Sequence, residues 1–373
     1  MRFLILSTDY PEFLKWLYGQ HPGLERQPYE DQMRVRNESL FGLADICSSN
    51  LRKLGHEAWD IHANNEFMQK TWAREHGLKV GSDWRWEFRL IRGLVPWVSR
   101  VREQRWFNDI LAAQIKHYKP EVLFNEAMDG ISSRFLKEMK SYVRMLMGQH
   151  AAPFPRGEDF SCYDLFISSL PDFVEHFRQK GIPAELNRLG FEPRWLSCVE
   201  AEERAFDVTF IGSLYSVHSS RVTLLEALCA PFPQIKVWAP SIDHLALTSP
   251  VRKHYAGPAW GREMYKILSR SKITLNHHGD FAVYANNYRL YEATGAGALL
   301  ITDWKANLHE MFEPGKEVIA YRTPEECAEL IKYYLERDNE REAIARSGQQ
   351  RTLRDHTDHQ RMQELVSIVQ KYL

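Results

Sequence analysis

No stretch of this sequence approaches the ~20 consecutive apolar residues that a membrane-spanning helix requires, and the opening apolar run, Phe3–Leu6, is too short for the core of a secretory signal. Cysteine is scarce. The five thiols, Cys47, Cys162, Cys198, Cys229 and Cys327, are odd in number and widely spaced, with no C-x-x-C pair, as expected of buried thiols in a reducing cytoplasm. Net charge is almost absent: 48 basic residues face 49 acidic ones, so no global field favours nucleic acid and any charged ligand has to be held locally. Several signature motifs are missing as well, namely G-x-x-x-x-G-K-[ST], G-x-S-x-G and H-E-x-x-H. The Gly295–Leu300 run, GAGALL, precedes a strand instead of following one, which excludes a dinucleotide fingerprint. No D-x-D pair offers a metal–diphosphate clamp, and His356 and His359, although spaced for one helix face, lack a third ligand. No metal and no bound cofactor is expected.

What the sequence does have is apolar bulk and alternation. With 373 residues, 44% apolar and 12% aromatic, it holds enough for about two packed cores. The pattern predicts strands at Phe3–Leu6, Glu57–Ile61, Glu121–Phe124, Val143–Gly148 and Leu165–Ser168, with helices over Asn37–Leu54, near Val101–His117 and from Pro171 to Gly181. After a polar stretch at Ser197–Arg204 it restarts: strands Val208–Ile211, Ile235–Trp238, Lys272–Asn276 and Ala298–Thr302 alternate with helices Arg221–Leu228, Met264–Ser269, Tyr288–Thr294 and Pro324–Arg337. Strand–helix alternation of this kind means parallel sheets covered by helices. The expected organisation is an N-terminal domain over residues 1–196, a second over 205–355, and a terminal helix over 356–373 that packs back on the first.

Ligands of open parallel sheets bind beyond the carboxyl ends of the strands. The loops with most weight are therefore Ser7–Tyr10, Asn125–Gly130, Gln149–His150, Ser168–Leu170, Gly212–Tyr215 and Asn276–Asp280. The densest signal is the strand, polar loop, helix and glycine turn between Lys272 and Asp303. Asn287 is a good N-cap, and Arg289 lies in the first helical turn, so free backbone N–H groups and a cation point at the same place, as a diphosphate requires. Glu292 follows one turn deeper, where a carboxylate can accept from both hydroxyls of a ribose. Read alone, Arg289 and Glu292 equally describe a helix-surface ion pair. His150 closes an apolar strand, and Asp9 and Asp129 occupy comparable post-strand loops, which makes them candidate acid–base groups.

The run Asn287-Tyr288-Arg289-Leu290-Tyr291-Glu292-Ala293-Thr294-Gly295-Ala296-Gly297, followed by a strand ending Thr302-Asp303, resembles the N-x-R-x-x-E-x-x-x-x-G signature of CgeB-type (spore-maturation-protein-like) glycosyltransferases. The similarity extends over residues 205–365; the N-terminal half is similar in architecture only. The resemblance implies a GT-B fold, two Rossmann-like α/β domains facing a central cleft, and a metal-independent, retaining transfer from a nucleotide-diphosphate sugar, UDP-sugar being the first choice. It implies Arg289 and Arg221 as neutralisers of the diphosphate, Glu292 as ribose ligand, and Gly212-Ser213 as the turn that meets the phosphates. Related enzymes often carry a further glutamate at the position of Tyr284; in its place Asn276, His278, Gly279 and Asp280 are the candidates for sugar contact. Two alternatives stay open: a non-catalytic nucleotide- or sugar-binding subunit of a glycan-assembly complex, and a nucleotide-sugar epimerase.

Between Trp84 and Trp106 the chain holds four Trp and six Arg against Glu87 and Glu103. Trp86, Leu90, Leu94 and Trp97 recur at helical spacing, with Arg85, Arg89 and Arg92 as a second row, so an amphipathic helix interrupted at Gly93 and Pro96 is expected. Such a segment either packs its aromatic row into the N-terminal domain or engages an anionic, lipid-linked or glycan acceptor. The latter implies a cytoplasmic protein with peripheral contact at the inner membrane face, and no nucleic-acid partner.

Overall fold

The computed structural model describes residues 1–42, 44–81, 84–91, 95–102, 105–154, 159–199 and 203–373, with the backbone alone for 84–91 and 95–102. In the first 150 residues, β1 (Arg2–Ser7), α1 (Pro11–Gln20), α2 (Tyr29–Glu38), α3 (Ile46–Lys53), β2 (Glu57–His62) and α4 (Glu66–Glu75) come first. Then follow β3 (Trp84–Ile91), β4 (Val95–Arg102), α5 (Arg105–Tyr118), β5 (Val122–Asn125), α6 (Ser133–Met139) and β6 (Met145–Gln149). Next are β7 (Leu165–Ser168), α7 (Pro171–Gln179), β8 (Ala184–Leu186), β9 (Phe206–Ile211), α8 (Ser219–Cys229), β10 (Ile235–Trp238), α9 (Val251–His254) and α10 (Arg262–Ser269). The chain ends with β11 (Ser271–Asn276), α11 (Tyr288–Gly295), β12 (Leu299–Asp303), β13 (Ile319–Tyr321), α12 (Pro324–Leu335), α13 (Asp338–Asp355) and α14 (Asp358–Tyr372).

Two compact units partition these elements. The first comprises Met1–Glu38, Gly55–Gln149 and Pro155–Leu165; the second comprises Ser39–Leu54, His150–Phe154 and Phe166–Leu373. In the first unit the strands run parallel in the order β2-β1-β5-β6. Phe3, Leu4, Ile5 and Leu6 are all buried, because a parallel strand covered on both faces reads as a continuous apolar run. In the second unit a five-stranded parallel sheet has the order β10-β9-β11-β12-β13. Its alternation sorts the side chains onto two faces: Val208, Phe210, Ile273, Leu275, Leu299 and Ile301 pack with α8 and α12, whereas Ile211 and Leu300 pack with Leu290 and Tyr291 of α11. The parallel α/β organisation is the one the alternation predicts. Within the second unit, α14 begins with a capping box between Thr357 and Gln360 and packs against α3.

Two expectations are corrected. The helix expected over Asn37–Leu54 is two helices, because Leu40, Gly42 and Ala44 take positive φ values of 58°, 57° and 44° and turn the chain between α2 and α3. The basic aromatic segment is not a helix: β3 and β4 form an antiparallel pair, with Arg89 opposite Trp97 and Trp86 opposite Arg100. Trp84, Trp86, Phe88 and Leu90 alternate with Arg85, Glu87 and Arg89, and this period of two prevails over the looser helical spacing. Arg92, Gly93 and Leu94 lie outside the described residues.

Candidate donor site

The site is built on the carboxyl ends of β9, β11 and β12 and on the first turn of α11. Asn287 takes an extended conformation, and its side chain accepts a hydrogen bond from the Leu290 N–H at 3.3 Å, capping the helix as expected. In the first turn, Arg289 Nη1 lies 2.9 Å from Glu292 Oε2, and both side chains are nearly buried, 13% and 12% exposed. This is more than a surface pair. Tyr265 donates its hydroxyl to Glu292 Oε1 at 3.0 Å and stacks on Trp195 with ring centroids 4.1 Å apart. The carboxylate is thus oriented from two sides, and each oxygen keeps a second lone pair for a ligand hydroxyl.

Arg221, in the first turn of α8, supplies the other cation. Its guanidinium donates to the carbonyls of Ser213 and His277, each at 2.6 Å, and so ties the Gly212-Ser213 turn after β9 to the loop after β11. Burial, reinforced by the nearby charge of Arg289, pulls Arg221 down to about 10. A second guanidinium whose charge is felt at Arg221 makes this end of the sheet favourable for an anion. A Cβ at Gly212 would lie 3.3 Å from the Phe210 ring and 3.5 Å from Arg221 Nη1, so a side chain there would crowd the guanidinium.

The loop from Asn276 to Asn287 is pinned along its length. Asn276 donates to Thr302 Oγ1 at 2.9 Å and accepts from Asn287 Nδ2 at 2.9 Å. His277 bridges Ser220 Oγ, at 3.0 Å, and the Tyr321 hydroxyl, at 2.8 Å. His278 is buried against Asp303. Gly279 has the Phe281 ring where a Cβ would be, at 2.5 Å. Asp280, a candidate for sugar contact, accepts the Ser219 N–H at 2.8 Å and both serine hydroxyls, and so caps α8. Burial works against its charge, but the bonds from Ser219 and Ser220 hold its carboxyl down at about 2.

Of the acid–base candidates, Asp9 and Asp129 belong to the first unit and His150 to the second. Asp9, in the first unit, is buried in an ion pair with Arg36, and His62 stands 3.4 Å away. Burial pushes the Asp9 carboxyl up, but Arg36 and then His62 override it and leave it below the ordinary range. Asp129, also in the first unit, is exposed in the turn after β5. His150 belongs to the second unit, buried with its ring stacked on Phe154 at 5.0 Å. Sequence reasoning passed over Trp195, Tyr265, His277, Asp303 and Tyr321. Asp303 had a usable signal, its place at the carboxyl end of a central strand; Tyr265 had none, because α10 meets α11 only in the fold.

Residues 203–367 match the glycosyl transferase-like family. This interval contains the donor-side residues from Gly212 to Tyr321; Trp195 precedes it. No curated protein matches the chain significantly. Among solved structures, the chain is similar to Anabaena HepE in complex with UDP-glucose, with a TM-score of 0.61 and 12% identity over 100% of both chains. It is also similar to a glycosyltransferase from Rickettsia africae ESF-5, with a TM-score of 0.58 and 11% identity over 100% of this chain and 98% of that one. The pneumococcal O-GlcNAc transferase GtfA in complex with UDP and GlcNAc gives a TM-score of 0.56 and 11% identity over 100% and 99%. The fold is GT-B. Among the described residues, no three His, Cys, Asp or Glu side chains are grouped as metal ligands, and no helix is long and apolar enough to cross a membrane.

Proposed function

We propose that this chain is a CgeB-type glycosyltransferase that binds a nucleotide-diphosphate sugar, UDP-linked in the first instance, at the N-terminus of α11 and transfers the sugar to a hydroxyl acceptor. The observation that carries the reading is the Arg289–Glu292 pair held by Tyr265, with Arg221 as a second cation close enough to feel Arg289. The lone pairs left on Glu292 accept from the ribose hydroxyls. The diphosphate meets the two guanidinium groups and the N-terminal turn of α11, so the charge that develops on it is stabilised by preorganised donors. As the C1–oxygen bond to the β-phosphate breaks, its electron pair stays on the phosphate; the acceptor oxygen bonds C1, and its proton passes to the departing phosphate. Retention of configuration and independence of metal accompany the CgeB reading, the arginines doing for the diphosphate what a divalent ion does elsewhere.

The acceptor in this reading is a glycan or a lipid-linked hydroxyl, met in the cytoplasm or at the inner membrane face. The β3–β4 pair supports that choice, because its register sets tryptophan beside arginine, with Trp84 opposite Arg102, Trp86 opposite Arg100 and Arg89 opposite Trp97. The test is incubation with UDP-, GDP- and dTDP-sugars, with and without chelator, following nucleotide release and the anomeric configuration of the product. Release from one nucleotide class, undiminished by chelator and with retained configuration, supports the proposal; strict metal dependence, or no release from any donor, counts against it.

A further inference from the structure

His278 and Asp303 form a buried pair that the diphosphate and ribose contacts leave without a role. They meet because of strand register: β11 and β12 are parallel neighbours with Asn276 opposite Thr302, so the residues just past the two carboxyl ends come together. Asp303 Oδ1 lies 3.0 Å from the His278 backbone nitrogen and 2.6 Å from its Nδ1. Burial would push the Asp303 carboxyl up, but the hydrogen bond and charge of His278 hold it well below the usual carboxylate range, with Lys305 Nζ 3.6 Å from its other oxygen. An ionised carboxylate only accepts, so Nδ1 carries a hydrogen and Nε2 is the ring's remaining polar atom.

That Nε2 is buried and has no hydrogen-bond partner among the described residues. A buried polar atom of this kind is costly unless a partner arrives. Its position says which partner. On one side the carbonyl of His277 holds Arg221; on the other, Asn276 is bonded to Asn287, the cap of α11. His278 therefore stands in the loop that joins the two cationic ends of the site. We infer that His278 Nε2 hydrogen-bonds a hydroxyl of the donor's sugar ring, with Asp303 as the positioning residue that fixes the ring's orientation. The inference rests on the donor reading above and adds the element that distinguishes a sugar nucleotide from a free nucleotide.

Calorimetry on the full chain separates the two claims, using UDP-, GDP- and dTDP-hexoses, each beside its free nucleotide. In the wild type the preferred hexose nucleotide binds more tightly than the free nucleotide. His278→Ala weakens the hexose nucleotide by about fivefold to tenfold and the free nucleotide by less than about twofold. His278→Gln, which brings an amide oxygen near the place of Nε2, recovers part of the loss, and Asp303→Asn reproduces the selective loss in smaller measure. Donors deoxygenated at one ring position at a time add a binding cycle: the wild type loses affinity for one of them, and His278→Ala shows no further loss on that donor. Thermal melting checks the fold of each variant; should the alanine variant fail to fold, the glutamine variant and the wild-type deoxy series decide. Equal losses for free and sugar-bearing nucleotide, or no preference for a sugar nucleotide in the wild type, overturn the assignment. A wild type that binds no nucleotide at all instead overturns the donor reading itself.

Discussion

Asp358, the first residue of α14, shows at the scale of one residue how burial sets chemistry in this chain. It is 6% exposed, its Oδ2 has no hydrogen-bond partner among the described residues, and Gly190 leaves room for it where a Cβ would lie 2.8 Å from Oδ1. Burial and then the charge of Glu192 push its carboxyl up to about 8, against the weaker pull of Arg361. The unfolded carboxyl titrates near 3.8, so between there and about 8 the folded chain keeps a proton that the unfolded chain has lost. Stability therefore falls as pH rises across that window, by at most about 1.4 kcal/mol per pH unit from this group, and the slope ends above it. Asp358→Asn removes the titration. Melting temperatures of variant and wild type should diverge in favour of the variant from pH 4 to 8 and then run parallel; a difference independent of pH would mean that Asp358 is ionised in the fold.

At the scale of the element, α11 was legible in the sequence because its signals are local: the Asn287 cap, the Arg289–Glu292 spacing and the glycines at its end all lie within eleven residues. What it packs against was not. Gly295 faces Phe191, whose ring carbons would lie 2.5 Å from a Cβ there, and Phe191 is itself buried edge-on against Trp195 at 5.1 Å. Gly295→Ala is expected to destabilise the chain by about 1–3 kcal/mol through overpacking, read as a lowered midpoint in denaturant with an unchanged slope; a wild-type midpoint would show that Phe191 can yield. The same limit explains Asp280. In sequence it is a carboxylate after a strand, free for a sugar, yet its partners Ser219 and Ser220 lie some sixty residues away and only the sheet order brings them near. The β3–β4 pair was misread for a different reason: its aromatic residues satisfy both periods, and nothing local marks which prevails. The break between α2 and α3 had Gly42 as its one local sign, since Leu40 and Ala44 are not residues that usually take positive φ.

For the whole molecule, the near balance of charge, 48 basic against 49 acidic residues, leaves anion binding to local arrangement, and the arrangement lies in one unit. Arg221, Arg289 and Glu292 converge there from helices about seventy residues apart because β9, β11 and β12 are adjacent in one parallel sheet. Strand–helix alternation made that sheet readable, and the rule that ligands lie beyond strand carboxyl ends made its loops readable. Side-chain pairing across the sheet, as in Asp303 with His278 or Tyr265 with Glu292, required the fold. The central claim is that a nucleotide is held at α11 through Glu292, and titration calorimetry of UDP into wild type and Glu292→Ala tests it most directly. Loss of charge-assisted hydrogen bonds to the ribose predicts an affinity about tenfold or more weaker in a variant that melts like a folded protein; an unchanged affinity would contradict the assignment and move the nucleotide away from α11.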